Sequence, residues 1–240
     1  MKREWEKSHV LSIILGWFFL TAIILFVLLS HTRLTGLTIY ENQPDSTTGA
    51  DTYIREGSDS NYGTAATIKI GKTAAAAEYR GLINIDTSAI SSTDTVMDAK
   101  LQVYLSIASN NDSMTIKVYR VTSNWNQTEA GWNNRTSTQT WSLGGGDYLE
   151  ELDSINFNDT LGYYNFTITS AMRNWVNGSY NNYGLIIISE GAISGDTKEF
   201  SSSDEAISAQ RPKIIVEHIP NAAPTIEGIS TNSNLTSPKQ

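Results

Sequence analysis

From Asp51 to His218 the chain alternates apolar and polar residues in short runs, the period-2 pattern of half-buried strands. "TIKIG" turns Ile68 and Ile70 one way and Lys69 the other, and "YRGLINID" separates Ile83 and Ile85 from Arg80, Asn84 and Asp86. "AKLQVYLSI" sends Leu101, Val103 and Leu105 inward with Lys100, Gln102 and Tyr104 outward. "MTIKVYRV" repeats the device, with Ile116 and Val118 inside and Lys117 and Tyr119 outside. "YGLIIISE" is an unbroken apolar run, as expected of a strand covered on both faces. "YYNFTITSAMRNWVNG" begins as a strand and turns into a short helix, and "RPKIIVEHI" closes the set. Asn, Asp, Gly and Ser break the runs, and "NYG" at 61–63 and 182–184 is shared turn chemistry rather than an internal repeat. Short strands without a long amphipathic helix predict an all-β fold, an antiparallel β-sandwich of two sheets.

The flanks obey other rules. Val10–Ser30 is uncharged over 21 residues, and as a helix it would reach roughly 31 Å, enough for a bilayer core. Lys2, Arg3 and Lys7 precede it and only Arg33 follows closely, which places the N-terminus in the cytoplasm and the rest outside. The alternative is a cleaved signal peptide. The apolar core is longer than such peptides use, and "LLSHTRLTG" offers a poor cleavage site, so an uncleaved signal anchor is expected. The predicted organisation is a cytoplasmic N-terminus (1–9), a transmembrane anchor (10–30), a polar stalk (31–50), the sandwich (51–218) and a Pro-punctuated linker or tail (219–240). Within the tail, "NAAPTI" resembles the lead-in to a further surface repeat.

Charge narrows the partners. Lys+Arg number 17 against Asp+Glu 25, and after Ser30 the count is 14 against 23, which argues against nucleic acid. The chain has no Cys, so disulfides and thiolate metal sites are excluded. Beyond the span the only histidines are His31 and His218, and the latter is expected to be exposed on the last strand rather than part of a triad. Close carboxylate pairs are not legible from sequence, and no catalytic centre is expected. Seven Asn-x-Ser/Thr sequons, at Asn111, Asn126, Asn134, Asn158, Asn165, Asn177 and Asn234, are glycosylation candidates. Trp125 and Trp132 lie seven positions apart in a polar loop. They could form a sugar-stacking platform or pin the loop to the core. The adjoining strand favours pinning, as it does for Trp141 and Trp175.

An ordered set of pieces carries a resemblance: "DTYIREGSDSNYG", "IKIG", "YRGLINID", "AKLQVYL", "VYRVTSNWNQTEAGWN", "WSLGGGDY", "NFTITSAMRNWVNG", "NYGLIIIS", "FSSSDE" and "RPKIIVE". Together, over about residues 51–217, they resemble the DNRLRE domain, the disaggregatase-related module also classed as carbohydrate-binding module family 96. Asn84–Ile85 and Gly131 depart from the usual motifs and bear on fine specificity. The resemblance implies a jelly-roll-like β-sandwich of prokaryotic surface and secreted proteins, often beside polysaccharide-degrading domains. It implies glycan binding, which in some members extends to acidic polysaccharide such as alginate.

The expected site lies on outward strand positions. Lys69, Lys100 and Lys117 with Tyr104 and Tyr119 could share a solvent face, while Arg55, Lys72 and Arg80 fall at or beside the ends of the first strands. Cations would meet hydroxyls and carboxylates, and Tyr rings would stack on pyranose C–H groups. The alternative makes these cations solvated decorations paired with Asp or Glu. No cofactor is required. Calcium is the candidate structural ion, with Asp51, Glu56, Asp59, Asp204 and Glu205 as ligands if the first and last strands lie side by side. The expected partners are a polysaccharide or surface glycoprotein, and the membrane through the N-terminal helix. The rivals are a structural envelope or adhesin spacer and the targeting module of a longer polysaccharide-degrading protein.

Overall fold

The inward residues of successive strands meet in one apolar cluster, with Ile68, Leu101, Val103, Leu105, Phe200 and Val216 contributed from one side and Ile83, Ile116, Val118, Leu185 and Ile187 from the other. Each such side chain is worth about 1.5–3 kcal/mol on burial. The computed structural model describes residues 36–109, 114–157 and 159–221. The predicted cytoplasmic segment, the membrane anchor, Asn111, Asn158, Asn234 and the chain beyond Asn221 lie outside the described residues. Among the described residues no helix is long and apolar enough to cross a membrane.

Among the described residues the strands are β1 (Thr38–Asn42), β2 (Ala50–Arg55), β3 (Thr67–Lys72), β4 (Glu78–Asn84), β5 (Thr95–Ser109), β6 (Met114–Val121), β7 (Asn134–Thr136), β8 (Gln139–Thr140), β9 (Tyr148–Phe157), β10 (Gly162–Thr167), β11 (Leu185–Glu190), β12 (Thr197–Ser201) and β13 (Lys213–Ile219), with one α-helix, α1 (Thr169–Val176). Hydrogen bonds run along β1-β13-β5-β12-β3-β4-β11-β6-β9, with β10 on β5 and β2 on β4. Only two residue pairs, Gly71–Tyr79 and Lys72–Glu78, join β3 to β4, and there the path passes between layers. Layer one holds β1, β13, β5, β12, β3 and β10. Layer two holds β2, β4, β11, β6 and β9. The result is an antiparallel, jelly-roll-like β-sandwich. Helix α1 buries Ala171, Met172, Trp175 and Val176 against its core.

Three features depart from the strand pattern. β1 lies inside the stretch expected to be stalk and pairs with β13, from Thr38–His218 to Asn42–Ile214. An edge strand half exposed on both faces leaves little hydrophobic period to detect. β9 went unpredicted because it is acid-rich and irregular: Glu150 has φ 58°, and the register with β6 shifts on either side of Tyr119. Such bulges break the alternation by which strands are recognised. Third, the outer side of layer two is itself buried in part. Ile54, Leu82, Val121 and Ile186 form a second cluster with Ala130 and Trp141, covered by the loop between Val121 and Tyr148. This cover explains the continuous apolar run of β11.

A charged cluster is also enclosed. Lys198 is fully buried between Asp196 at 2.7 Å and Asp159 at 2.5 Å. Burial of an ammonium demands such partners.

Candidate functional site

The loop over layer two is tied down along its length. Trp125 Nε1 donates to Tyr183 O (2.8 Å) and Trp141 Nε1 to Gly131 O (3.0 Å). Trp132 N donates to Ser58 O, and Gly145 N to Trp132 O. Asp59 accepts from both the main-chain N and the Nδ2 of Asn133. A Cβ at Gly131 would lie 2.7 Å from Asp59 Cα, so only glycine permits this approach. The indoles at 125, 132 and 141 therefore staple the loop, and Trp175 packs into the main core.

The stapled loop and β4 build an open cleft of about 650 Å³ whose lining includes Arg80, Ser123, Ser142, Leu143, Asp147 and Tyr148. The Arg80 guanidinium lies 4.9 Å from the Trp132 ring centre and 5.7 Å from that of Tyr148. Its Nη1 donates to Gly145 O (2.9 Å) and its Nη2 to Glu78 Oε2 (2.8 Å). Asp147 accepts from the hydroxyls of Ser123 and Ser142, which fixes two polar groups at the rim. Tyr148 continues into Tyr119, with ring centres 5.0 Å apart. Tyr119 OH donates to Glu151 (3.2 Å). Lys117 follows, held by Glu190 at 2.7 Å and Glu151 at 3.2 Å. These hydrogen bonds raise the Lys117 pKa well above the usual lysine range, so it stays charged. The outcome is a strip of ring faces, hydroxyls and paired charges running from Lys117 to Trp132.

Of the eight residues singled out from sequence, Arg80, Lys117 and Tyr119 meet on this face. Arg55 and Lys72 flank the start of β4, opposite Tyr79 and Glu78 respectively. Lys69, Lys100 and Tyr104 are carried by β3 and β5 on the outer side of layer one, where Tyr104 packs edge-on against Tyr163 at 4.9 Å. The single solvent face expected for these side chains is thus divided between opposite sides of the sandwich, because the chain changes layers between β3 and β4, between β4 and β5, and again between β5 and β6. Nor is either group a basic surface. Lys69 is paired with Glu199 (3.1 Å) and Lys100 with Asp98 (3.1 Å), as Arg80 is with Glu78. Sequence reasoning passed over Ser123, Ser142, Asp147 and Tyr148, whose convergence depends on the path of an irregular loop. The motif "WSLGGGDY" was the available signal, since its glycines at 145 and 146 have positive φ and shape the rim.

Residues 42–218 match the model of carbohydrate-binding module family 96. The chain belongs to that family. A comparison with curated proteins found no match. Family 96 modules bind carbohydrate without transforming it.

The five acids expected around calcium do not gather in this family 96 module. Asp59 is engaged by Asn133, Glu56 accepts from Glu78 N (3.1 Å), and Glu205 accepts from Ile207 N (3.1 Å). Among the described residues no three carboxylate or imidazole groups come together as a metal centre. His218 is buried rather than exposed, with Nδ1 2.8 Å from Asp94 Oδ2. Along β13 it keeps the alternation of the buried Ile214 and Val216, which turns it inward.

Proposed function

We propose that the module faces outward from a single-pass membrane protein and holds a hydroxyl-rich polysaccharide, or the glycan of a surface glycoprotein, on the outer face of layer two. The observation that carries the location is the Tyr119–Tyr148 ring pair running into the cleft beside Arg80. Pyranose rings stack on such faces, while Ser123, Ser142 and Asp147 supply hydroxyl partners at the rim. Membrane attachment is supported by the uncharged run Val10–Ser30 and the cations ahead of it.

The charge balance favours a neutral glycan. Arg80 and Lys117 are accompanied on this face by Glu78, Asp147, Glu151 and Glu190, so a polyanion meets no net attraction. Single-site affinity is modest in this reading, and many tethered copies acting together raise the avidity.

Affinity electrophoresis of the detergent-solubilised chain through gels containing neutral or acidic polysaccharides tests the proposal. Retardation by a neutral glycan that is lost in Tyr148→Ala and Tyr119→Ala, but kept in Tyr104→Ala on the opposite face, supports it. Retention by acidic glycans alone, or retention lost with Tyr104→Ala, overturns it. A folded chain retained by no glycan favours the spacer reading.

A further inference from the structure

We infer that Lys198 and Asp159 condense into an intramolecular isopeptide bond, with Asp196 as the acid–base residue that moves the protons. This goes beyond glycan binding and does not depend on it. Lys198 stands on the inward side of β12, its backbone fixed between Ile70 of β3 and Ala108 of β5. Its side chain is wholly buried, and those of Asp196 and Asp159 are 1% and 11% exposed. The ammonium donates a hydrogen bond to Asp196 Oδ1 at 2.7 Å and lies 3.5 Å from Ser109 O. Asp159 Oδ1 is closer still, at 2.5 Å, but without the alignment of a hydrogen bond. Asp159 itself is held at φ 62° in the connection between β9 and β10. The cation thus meets two carboxylates in two ways, one accepting its proton and the other set against its nitrogen.

The surroundings favour condensation over a lasting ion pair. Phe157 and Phe200, each two residues from a reacting partner, are fully buried and meet edge-on with ring centres 5.5 Å apart. Ions in such a medium forfeit hydration that their mutual attraction offsets only in part, whereas an amide is neutral and less costly to bury. Two backbones that hold amine and carboxyl in contact supply the effective concentration that amide formation lacks in water. The step is a dehydration. Asp196 draws a proton from the Lys198 ammonium, the freed lone pair attacks Asp159 Cγ, and an Nζ–Cγ bond forms. One Asp159 oxygen leaves as water with two of the three ammonium protons, relayed by Asp196, and the third proton stays on the amide nitrogen. Net charge is unchanged and no co-reactant is needed. The chain has no Cys, and this bond ties the β9–β10 connection to β12 as a disulfide would.

Mass spectrometry of the folded full chain, denatured only for the measurement, tests the bond. Allowing for the residue change, the wild type should weigh one water (about 18 Da) less than Lys198→Met. Tryptic digestion should leave the Lys198 site uncut and give one branched peptide in which fragmentation joins Lys198 to Asp159. Asp159→Ala should restore the unlinked peptides. Asp196→Asn, with its fold checked by circular dichroism, should carry about tenfold less linked peptide after equal time from synthesis. The wild-type peptide map decides the bond whether or not the variants fold. Lys198 and Asp159 on separate peptides overturn it. So does water lost without a branched peptide, as in succinimide formation at Asp159. Equal linkage in folded Asp196→Asn overturns the role given to Asp196.

Discussion

Replacing Asp51 by Asn should stabilise the protein at neutral pH. The folded-state pKa of Asp51 is raised from 3.8 to about 6, chiefly by desolvation. Between these values the native state binds a proton that the unfolded chain has released. This group's contribution is therefore fully present below the unfolded pKa and is lost as pH rises through the folded one. A shift of about two units corresponds to about 3 kcal/mol of destabilisation at pH 7, an upper figure because local opening and water entry relieve some of it. Asn keeps an oxygen for the Ser203 N–H and adds an N–H₂ that can donate to Ser203 Oγ or Asp204. Urea unfolding of both proteins at about pH 4 and about pH 7.5 gives the double difference that cancels the other carboxylates. The variant should gain about 1–3 kcal/mol on the wild type between the two pH values. A variant less stable than wild type at neutral pH, with no change in the difference, would refute the reasoning.

Other perturbations act on the buried ion pair, the core and the glycan-facing strip. Lys198→Met leaves Asp196 and Asp159 buried without their shared cation, and chemical denaturation should show a loss of about 3–5 kcal/mol. Gly81→Ala would place a Cβ 2.6 Å from Ile68 Cγ2 and 2.8 Å from Ile70 Cδ1, so overpacking should cost about 1–3 kcal/mol in the same assay. Since the face around Tyr148 pairs its cations with acids, retention by a neutral glycan should change less than about twofold between low and high salt. A steep loss with salt in affinity gels would instead indicate phosphate- or carboxylate-like recognition.

Much of the sandwich was legible because burial on one face imposes alternation. Leu101, Val103 and Leu105 with Ile116 and Val118 fall inside as their spacing requires. Helix α1 was legible from "SAMRNWV" for the same reason, as its apolar positions follow the helical period. β9 was hidden by its bulges at Glu150 and Tyr119, and β1 by its exposure. The candidate face was legible only residue by residue. Outward direction could be read for Lys69, Lys100, Lys117, Tyr104 and Tyr119, but which layer each strand joins is a property of topology. The ion pairs of Lys69 with Glu199 and Lys117 with Glu190 connect residues far apart in sequence, so the neutralisation of the expected basic surface could not be anticipated. The loop tryptophans were different. A polar segment with indoles beside a strand has one economical use, to cover apolar positions such as Leu82 and Ile186, and that use is observed.

Amide chemical-shift mapping by nuclear magnetic resonance, with a retained oligosaccharide added to the detergent-solubilised chain, addresses the glycan-binding claim most directly. Saturable shifts are expected in Lys117–Val121, Ser142–Asp147 and Tyr148–Leu152, with Gln102, Tyr104, Tyr163 and Lys213 unmoved. Shifts confined to β5, β10 and β13 would contradict it and place the sugar on the opposite layer.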